Sequence, residues 1–410
     1  MHHEIRDIVI IGAGPSGSIA AGYLEKQRAS FLVLEKQKFP RFVVGESLIP
    51  RCMDNFSEAG FLEVLKAYGF QKKYGARFIR KNEIAEFDFS KKFGNGWNWT
   101  WQVPRADFDK VLTDNLKSRG VDIRFETEIL SISRTGERWQ ILIKNNLGEE
   151  TEITCNFIID SSGNGRVLAK QFNLEAPPVI YDHSSIFTHI KETQRPEGIE
   201  GTQITFEVLD TKTWFWYIPF SNGVSSLGFV GPNTWFENFG NETAEAFKKM
   251  LKETDYYRNR FDQYPFKFEP ISYRNISKNV KNVYGNGFAL TGNSAEFLDP
   301  VFSSGVAFAT ESGLLASKLA LKEIQGEPVD WEKEYSGYIK DGVDVFATYV
   351  KEWYSGKLQD IFFHTKPNTQ IKAQICAVLA GYVWNKKNPF VRNHQKAITN
   401  LHHLIQMEKL

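Results

Sequence analysis

The sequence predicts an α/β chain: a Rossmann-like dinucleotide-binding domain, an antiparallel β-sheet domain inserted into it, and a helical C-terminal region. Three observations predict this. Residues 5–35 read as a strand, a glycine turn, a helix and a second strand ending in an acid. The middle, roughly 176–270, is rich in strand formers and aromatics and has no second glycine fingerprint. From Trp331 onward the chain reads as several helices.

The first element carries the strongest signal. Asp7-Ile-Val-Ile-Ile runs into Gly12-Ala-Gly14-Pro15-Ser16-Gly17. Gly12 allows the tight turn, Gly14 leaves room for a pyrophosphate against the backbone, and Gly17 lets the helix approach the sheet. The helix start then faces the phosphates with unpaired N–H groups. Glu35 follows the apolar run Phe31–Leu34, placed to accept a hydrogen bond from a ribose 2′-hydroxyl and to repel a 2′-phosphate. Lys36 and Arg41, just beyond it, are further cofactor candidates.

Short strands are expected at Val121–Phe125, Ile129–Ser133, Trp139–Ile143 and Glu152–Cys155. Phe157–Asp160 reads as one more buried strand, running into Ser161-Ser-Gly163-Asn-Gly165. A carboxylate at the end of a buried strand needs partners, so Asp160 is expected to cap or to hold the cofactor loop. Phe288–Thr291 is a further strand ending at Gly292, and a helix starts near Gly305 and runs through Ala320. These expectations divide the chain into a discontinuous nucleotide domain (1–70, 105–175, 271–330), a substrate domain (71–104, 176–270) and a helical region (331–410).

Bulk composition excludes other classes. Fifty Lys+Arg against 49 Asp+Glu give a net charge of +1, so nothing electrostatic argues for nucleic acid or an acidic membrane. Aromatics reach 14%, which favours a large apolar interior or an aromatic-lined pocket. Three scattered cysteines (Cys52, Cys155, Cys376) show no metal spacing and suit a reducing cytosol; a cytoplasmic protein without a signal peptide is expected. No run reaches the ~18 apolar residues of a membrane span. The nearest, Ile375–Trp384, reads as a buried helix. The eight histidines form no metal pattern, and the pairs His2-His3 and His402-His403 are expected to be solvated.

Several segments together resemble the FAD-dependent aromatic monooxygenase superfamily, which includes geranylgeranyl-reductase-like flavoproteins: Gly12-x-Gly14-x-x-Gly17, Asp160-Ser-Ser-Gly163, and Gly292 followed by Asp299-Pro300. The resemblance covers about the first 330 residues. It implies a glutathione-reductase or p-hydroxybenzoate-hydroxylase type of fold with FAD as the dinucleotide. The family's Gly-Asp pair at the ribityl chain is Gly292-Asn293 here, and Asn can still accept a hydrogen bond. Arg105, at the start of a helix, matches an Arg that contacts FAD; an exposed helix-start Arg is the alternative.

Four segments resemble flavin-dependent halogenases of phenol or pyrrole type. They are Gly45-Glu46-Ser47-Leu48-Ile49-Pro50, Phe70-Gln-Lys-Lys73-Tyr-Gly75, Trp214-Phe-Trp216-Tyr-Ile218-Pro219, and Phe297-Leu-Asp-Pro300-Val-Phe302-Ser303-Ser304-Gly305-Val306. The resemblance implies that the first lies along the isoalloxazine and that Lys73 is the catalytic amine. Reduced flavin, O₂ and halide would give hypohalous acid, which Lys73 holds as an ammonium or, if burial deprotonates it, as a chloramine. A solvated Lys72-Lys73 surface pair is the alternative. Trp214 and Trp216 share one strand face; they wall off the flavin from substrate, hold the sheet together, or do both. Ser303–Gly305 at a helix start forms an anion nest, for halide or for the flavin edge. Phe302 stands where indole-type members place a Glu, which argues for a phenol or pyrrole, and in the family such substrates are often carrier-bound. Lacking a second fingerprint for NADPH, the chain is expected to receive reduced FAD from an NAD(P)H-dependent flavin reductase. An aromatic hydroxylase, a prenyl reductase and a flavin-binding protein without turnover are the alternatives.

Overall fold

The computed structural model describes residues 2–178, 180, 182–240 and 243–408. Its first sheet grows from the strand His2–Ile11, which pairs in parallel with Phe31–Leu34 on one side and Glu150–Asp160 on the other. Ile8–Ile11 are buried, as expected of a parallel strand covered on both faces. The order across this sheet is Tyr284–Gly285, Phe288–Leu290, Glu150–Asp160, His2–Ile11, Phe31–Leu34 and Ile123–Arg124. Arg138–Lys144 and Glu128–Thr135 extend it antiparallel from the first half of Glu150–Asp160.

The helix Pro15–Lys26 follows the glycine turn. Gly12 sits at φ +99°, a region that L side chains rarely adopt. A Cβ on Gly17 would lie 1.9 Å from the Gly12 carbonyl oxygen, so the helix approaches the turn as closely as backbone allows. The long helix Gly305–Ile324 crosses it, and a Cβ on Gly313 would meet the Ser16 oxygen at 2.4 Å.

The second sheet has seven strands: Ile271–Tyr273, His183–Lys191, Val224–Pro232, Trp214–Pro219, Thr205–Val208, Gly75–Arg80 and Glu83–Asp88. The sequence reading of the middle as an antiparallel layer needs two corrections. Thr205–Val208 pairs in parallel with Gly75–Arg80, and the helices Asn233–Glu237 and Ala244–Lys252 interrupt the segment. Trp214–Pro219 is buried throughout: Trp214, Trp216 and Ile218 join the main core, whereas Phe215 and Tyr217 join a separate cluster with Tyr257 and Phe261.

Two further expectations are corrected. Glu152–Cys155 and Phe157–Asp160 belong to one strand of 11 residues, because pairing with the first strand resumes directly after Asn156. The helix expected over 375–384 is Thr369–Leu379, and the chain turns at Gly381, φ +91°. The C-terminal region is otherwise helical, with Tyr338–Tyr354 and His394–Glu408 its longest members. His402 contacts Asp360 and Gln406 and is not free in solvent. No helix among the described residues is long and apolar enough to cross a membrane.

Candidate active site

Three chain segments far apart in sequence meet where the glycine turn ends. The Ser16 hydroxyl donates to Thr291 Oγ1 at 2.7 Å, and Ser161 Oγ lies 2.8 Å from the same atom, all buried. This knot fixes the loops at the ends of three parallel strands, where open α/β sheets bind ligands. A cleft of about 840 Å³ opens there.

One end of the cleft is built for a nucleotide. Gly12, Gly14, Pro15 and Ser16 line it, with Glu35, Lys36 and Arg41. Glu35 accepts from the Ala13 and Gln37 amides, both at 2.9 Å, which locks its carboxylate at the strand end. An added Cβ on Gly14 would come within 3.4 Å of Arg41 Nη2, so the bare backbone and a guanidinium flank one space. Arg41 Nη1 is buried without a hydrogen bond and lies 3.2 Å from Asp109. A pyrophosphate fits between this cation and the helix start.

The other end is aromatic. Ile204, Phe206, Trp214, Trp216 and Ile218 line it, with Gly45, Glu46, Ser47, Arg105, Pro300, Ser303, Gly305 and Val306. Apolar and aromatic walls of this kind suit a planar ring system. Gly163, Gly292 and Asn293 line the cleft between. Arg105 is not the exposed helix-start residue of the alternative: it is 7% exposed, doubly bonded to Asp109 and donating to the Val44 carbonyl. Ser303 has φ +55°, and its amide is spent on the Pro300 carbonyl, so the N–H groups left at this helix start belong to Ser304, Gly305 and Val306.

Other residues singled out in the sequence lie outside the cleft. Asp160 is fully buried and accepts from the Ser162 and Leu168 amides, capping the helix Val167–Gln171; burial nonetheless raises its pKa. Gly17 packs the helix. Pro219 ends its strand, and Phe302 stands edge-on to Trp353 and Tyr349.

Lys73 is 2% exposed, which removes the solvated-pair alternative. It lies on the short strand Gln71–Lys73, paired with Thr100–Gln102. Its Nζ donates to Ser47 Oγ and to the Leu48 carbonyl, both at 2.8 Å, and stands 5.6 Å from the centre of the Phe89 ring. Burial pulls its pKa down to about 7. Lys73 does not line the cleft; Ser47 does, so one hydroxyl separates the two.

Comparison with known proteins decides the family: the FAD binding domain model matches residues 6–330. The chain belongs to the FAD-binding domain family. A flavoprotein/dehydrogenase structure from Cytophaga hutchinsonii superposes with a TM-score of 0.97 at 45% identity, covering 99% of this chain and all of that one. A 1H-pyrrole-2-carbonyl-[peptidyl-carrier protein] chlorinase from Pseudomonas fluorescens is 28% identical over 96% of this chain and 92% of its own length. The corresponding brominase from Pseudoalteromonas luteoviolacea is 27% identical over 92% of this chain and 91% of its own. The resemblance to flavin-dependent halogenases, read from four short segments, thus extends over nearly the whole chain. This flavoprotein is an FAD-dependent oxidoreductase.

Sequence reasoning missed two groups: Asp109, which gathers Arg41 and Arg105, and His189, 2.8 Å from Glu46; Tyr354, an aromatic of the C-terminal helices, accepts from Trp214 Nε1 at 3.0 Å and donates to Asp299 at 2.9 Å. Only the i, i+4 spacing of Arg105 and Asp109 was a readable signal.

Proposed function

We propose that this flavoprotein halogenates an electron-rich aromatic, a phenol or pyrrole, with Lys73 as the group that carries the halogen. The observation behind this reading is the state of Lys73: buried, with a pKa pulled to about 7 and two acceptors for its N–H groups. A neutral amine spends both N–H groups on Ser47 and Leu48 and keeps its lone pair. Bound reduced FAD, with O₂ and halide, supplies hypohalous acid. The Lys73 lone pair attacks the halogen, the amine N–H proton leaves with the hydroxide as water, and an N–halogen bond results. The ring then takes the halogen and loses a proton, which restores the amine.

The residues that would hold FAD are those of the cleft. Gly12–Ser16 and Arg41 take the pyrophosphate, Glu35 the ribose, Gly292 and Asn293 the ribityl chain, and Gly45–Ser47, Arg105, Pro300, Ser303, Gly305 and Val306 the isoalloxazine. The free amides at Gly305 and Val306 are the candidate halide site. Trp214 and Trp216 separate the flavin from the substrate. Reduced FAD comes from a separate NAD(P)H-dependent reductase, and the substrate is presented on a carrier protein, by analogy with the pyrrole relatives. The nucleotide domain takes residues 1–70, 105–175 and 271–330, the substrate domain 71–104 and 176–270; the pairing of Ile271–Tyr273 in the second sheet moves that last boundary past Tyr273.

The test supplies the protein with reduced FAD, O₂, bromide and a panel of free and carrier-bound phenols and pyrroles, read by mass spectrometry. Bromine incorporation that disappears in Lys73→Met is expected. Oxygen incorporation independent of bromide would replace this reading with a hydroxylase.

A further inference from the structure

Among the described residues, Glu46 is the one acidic side chain lining the aromatic end of the cleft. It is 2% exposed, and neither carboxylate oxygen has a hydrogen-bond partner. A buried carboxylate left this way costs several kcal/mol unless a charge or a ligand compensates it. The compensating group is behind it. His189 Nε2 lies 2.8 Å from Glu46 Oε1, without the alignment of a hydrogen bond, and has no other partner. The imidazole is 7% exposed and boxed by Phe42, Phe220 and Phe268, with ring centres 5.3, 5.5 and 5.0 Å away. Among the cations lining the cleft, Arg105 at this end and Arg41 at the nucleotide end converge on Asp109, and Arg274 lines it beside Tyr273. His189 does not itself line the cleft, so it acts through Glu46.

We propose that His189 is a positioning residue that offsets the Glu46 charge and so sets how strongly the cleft prefers reduced over oxidised flavin. The inference rests on FAD lying in the cleft with its isoalloxazine at the aromatic end. Reduced isoalloxazine readily loses a proton and becomes an anion, whereas the oxidised ring is neutral. A bare Glu46 carboxylate in a site of low dielectric repels the anion and spares the neutral ring. The His189 ring, 2.8 Å from Oε1, draws on the carboxylate's charge from behind and weakens that repulsion. The unmade bonds of Glu46 remain available to an N–H of the ring, which gives the carboxylate a reason to be there. For a protein that takes up flavin already reduced, this balance governs loading.

The two halves of the pair then act in opposite directions, which a purely structural role does not produce. The test is the midpoint potential of bound FAD in wild type, Glu46→Gln, His189→Gln and the double variant, with affinities for reduced and oxidised FAD measured separately. His189→Gln is expected to lower the ratio of reduced to oxidised affinity about tenfold, and Glu46→Gln to raise it about tenfold. Each tenfold change reads as about 30 mV for this two-electron couple. The double variant is expected to return toward wild type. His189→Phe serves if the glutamine variant misfolds. If wild type loads FAD but both single variants shift the potential the same way, or not at all, this inference is overturned and the cofactor site stands. If wild type cannot be loaded, both fall.

Discussion

On one side of the segment Gly45–Leu48 the chain leaves a cleft of about 840 Å³ walled by glycines and backbone amides; on the other it packs Lys73 down to 2% exposure. The cleft is held open by backbone. Gly12 turns, Gly17 lets the helix in, and three hydroxyls tie the loops. The lysine side is held shut by packed side chains, with the Phe89 ring against Lys73. Openness on one side lets a large cofactor bind without rearrangement. Closure on the other lowers the pKa of an amine, because dry surroundings penalise its charge. The same closure leaves Lys73 off the cleft wall, so a substrate that reaches it displaces packed side chains.

The largest expected effect breaks the cleft and spares the amine. In Gly17→Ala the new methyl would sit 1.9 Å from the Gly12 oxygen, and the helix must move. Overpacking of this kind costs roughly 3 kcal/mol. We expect the protein to lose FAD on desalting and to melt earlier, read by flavin absorbance and a thermal scan. The mirror experiment breaks the amine and spares the cleft. Lys73→Met should retain FAD with unchanged affinity while halogenation falls about 1,000-fold, the scale of a lost catalytic group.

A third experiment needs no substrate. The Lys73 pKa is about 7 in the folded chain against an ordinary 10.5. Between those values the unfolded chain binds a proton that the native state does not, so native stability rises as pH climbs from 7 and levels off above 10.5. From pH 7 to pH 9 the wild type should gain roughly 2 kcal/mol over Lys73→Met, measured as the difference between two urea titrations at each pH. Equal slopes for the two proteins would mean that Lys73 keeps its charge in the fold.

The contrast between the two sides also explains what the sequence made legible. The nucleotide end could be read because its parts are local. Gly12, Gly14, Gly17 and Glu35 lie within 24 residues and owe their function to backbone geometry, which a motif encodes directly. Short motifs also located Lys73, Trp214 and Trp216. Their surroundings were not readable, because each depends on contacts between distant positions. Ser47 reaches Lys73 across 26 residues and Trp214 reaches Tyr354 across 140. His189 belongs to no motif; it meets Glu46 only because the strand His183–Lys191 passes behind the cleft. Asn156 shows the same limit in the fold. A polar residue between two apolar runs looks like a break, yet parallel pairing with the first strand carries the ladder past it.

The smallest expected effect gives the sharpest test of how the two sides communicate. Ser47 lines the cleft and accepts from Lys73, so Ser47→Ala takes away one of two acceptors without opening a large cavity. A buried N–H left without a partner costs about 1–3 kcal/mol, and the charged form, which has three N–H groups to place, suffers more than the neutral one. The Lys73 pKa should therefore drop further below 7. If the neutral amine carries the halogen, the acid limb of the single-turnover pH–rate profile moves to lower pH in Ser47→Ala, while the plateau falls only about tenfold from loosened geometry. If an ammonium does the work by hydrogen-bonding hypohalous acid, Lys73 shapes the alkaline limb instead, and in Ser47→Ala that limb moves to lower pH, so the rate at neutral pH falls. Which limb moves, at saturating reduced FAD, decides which protonation state of Lys73 faces the halogen.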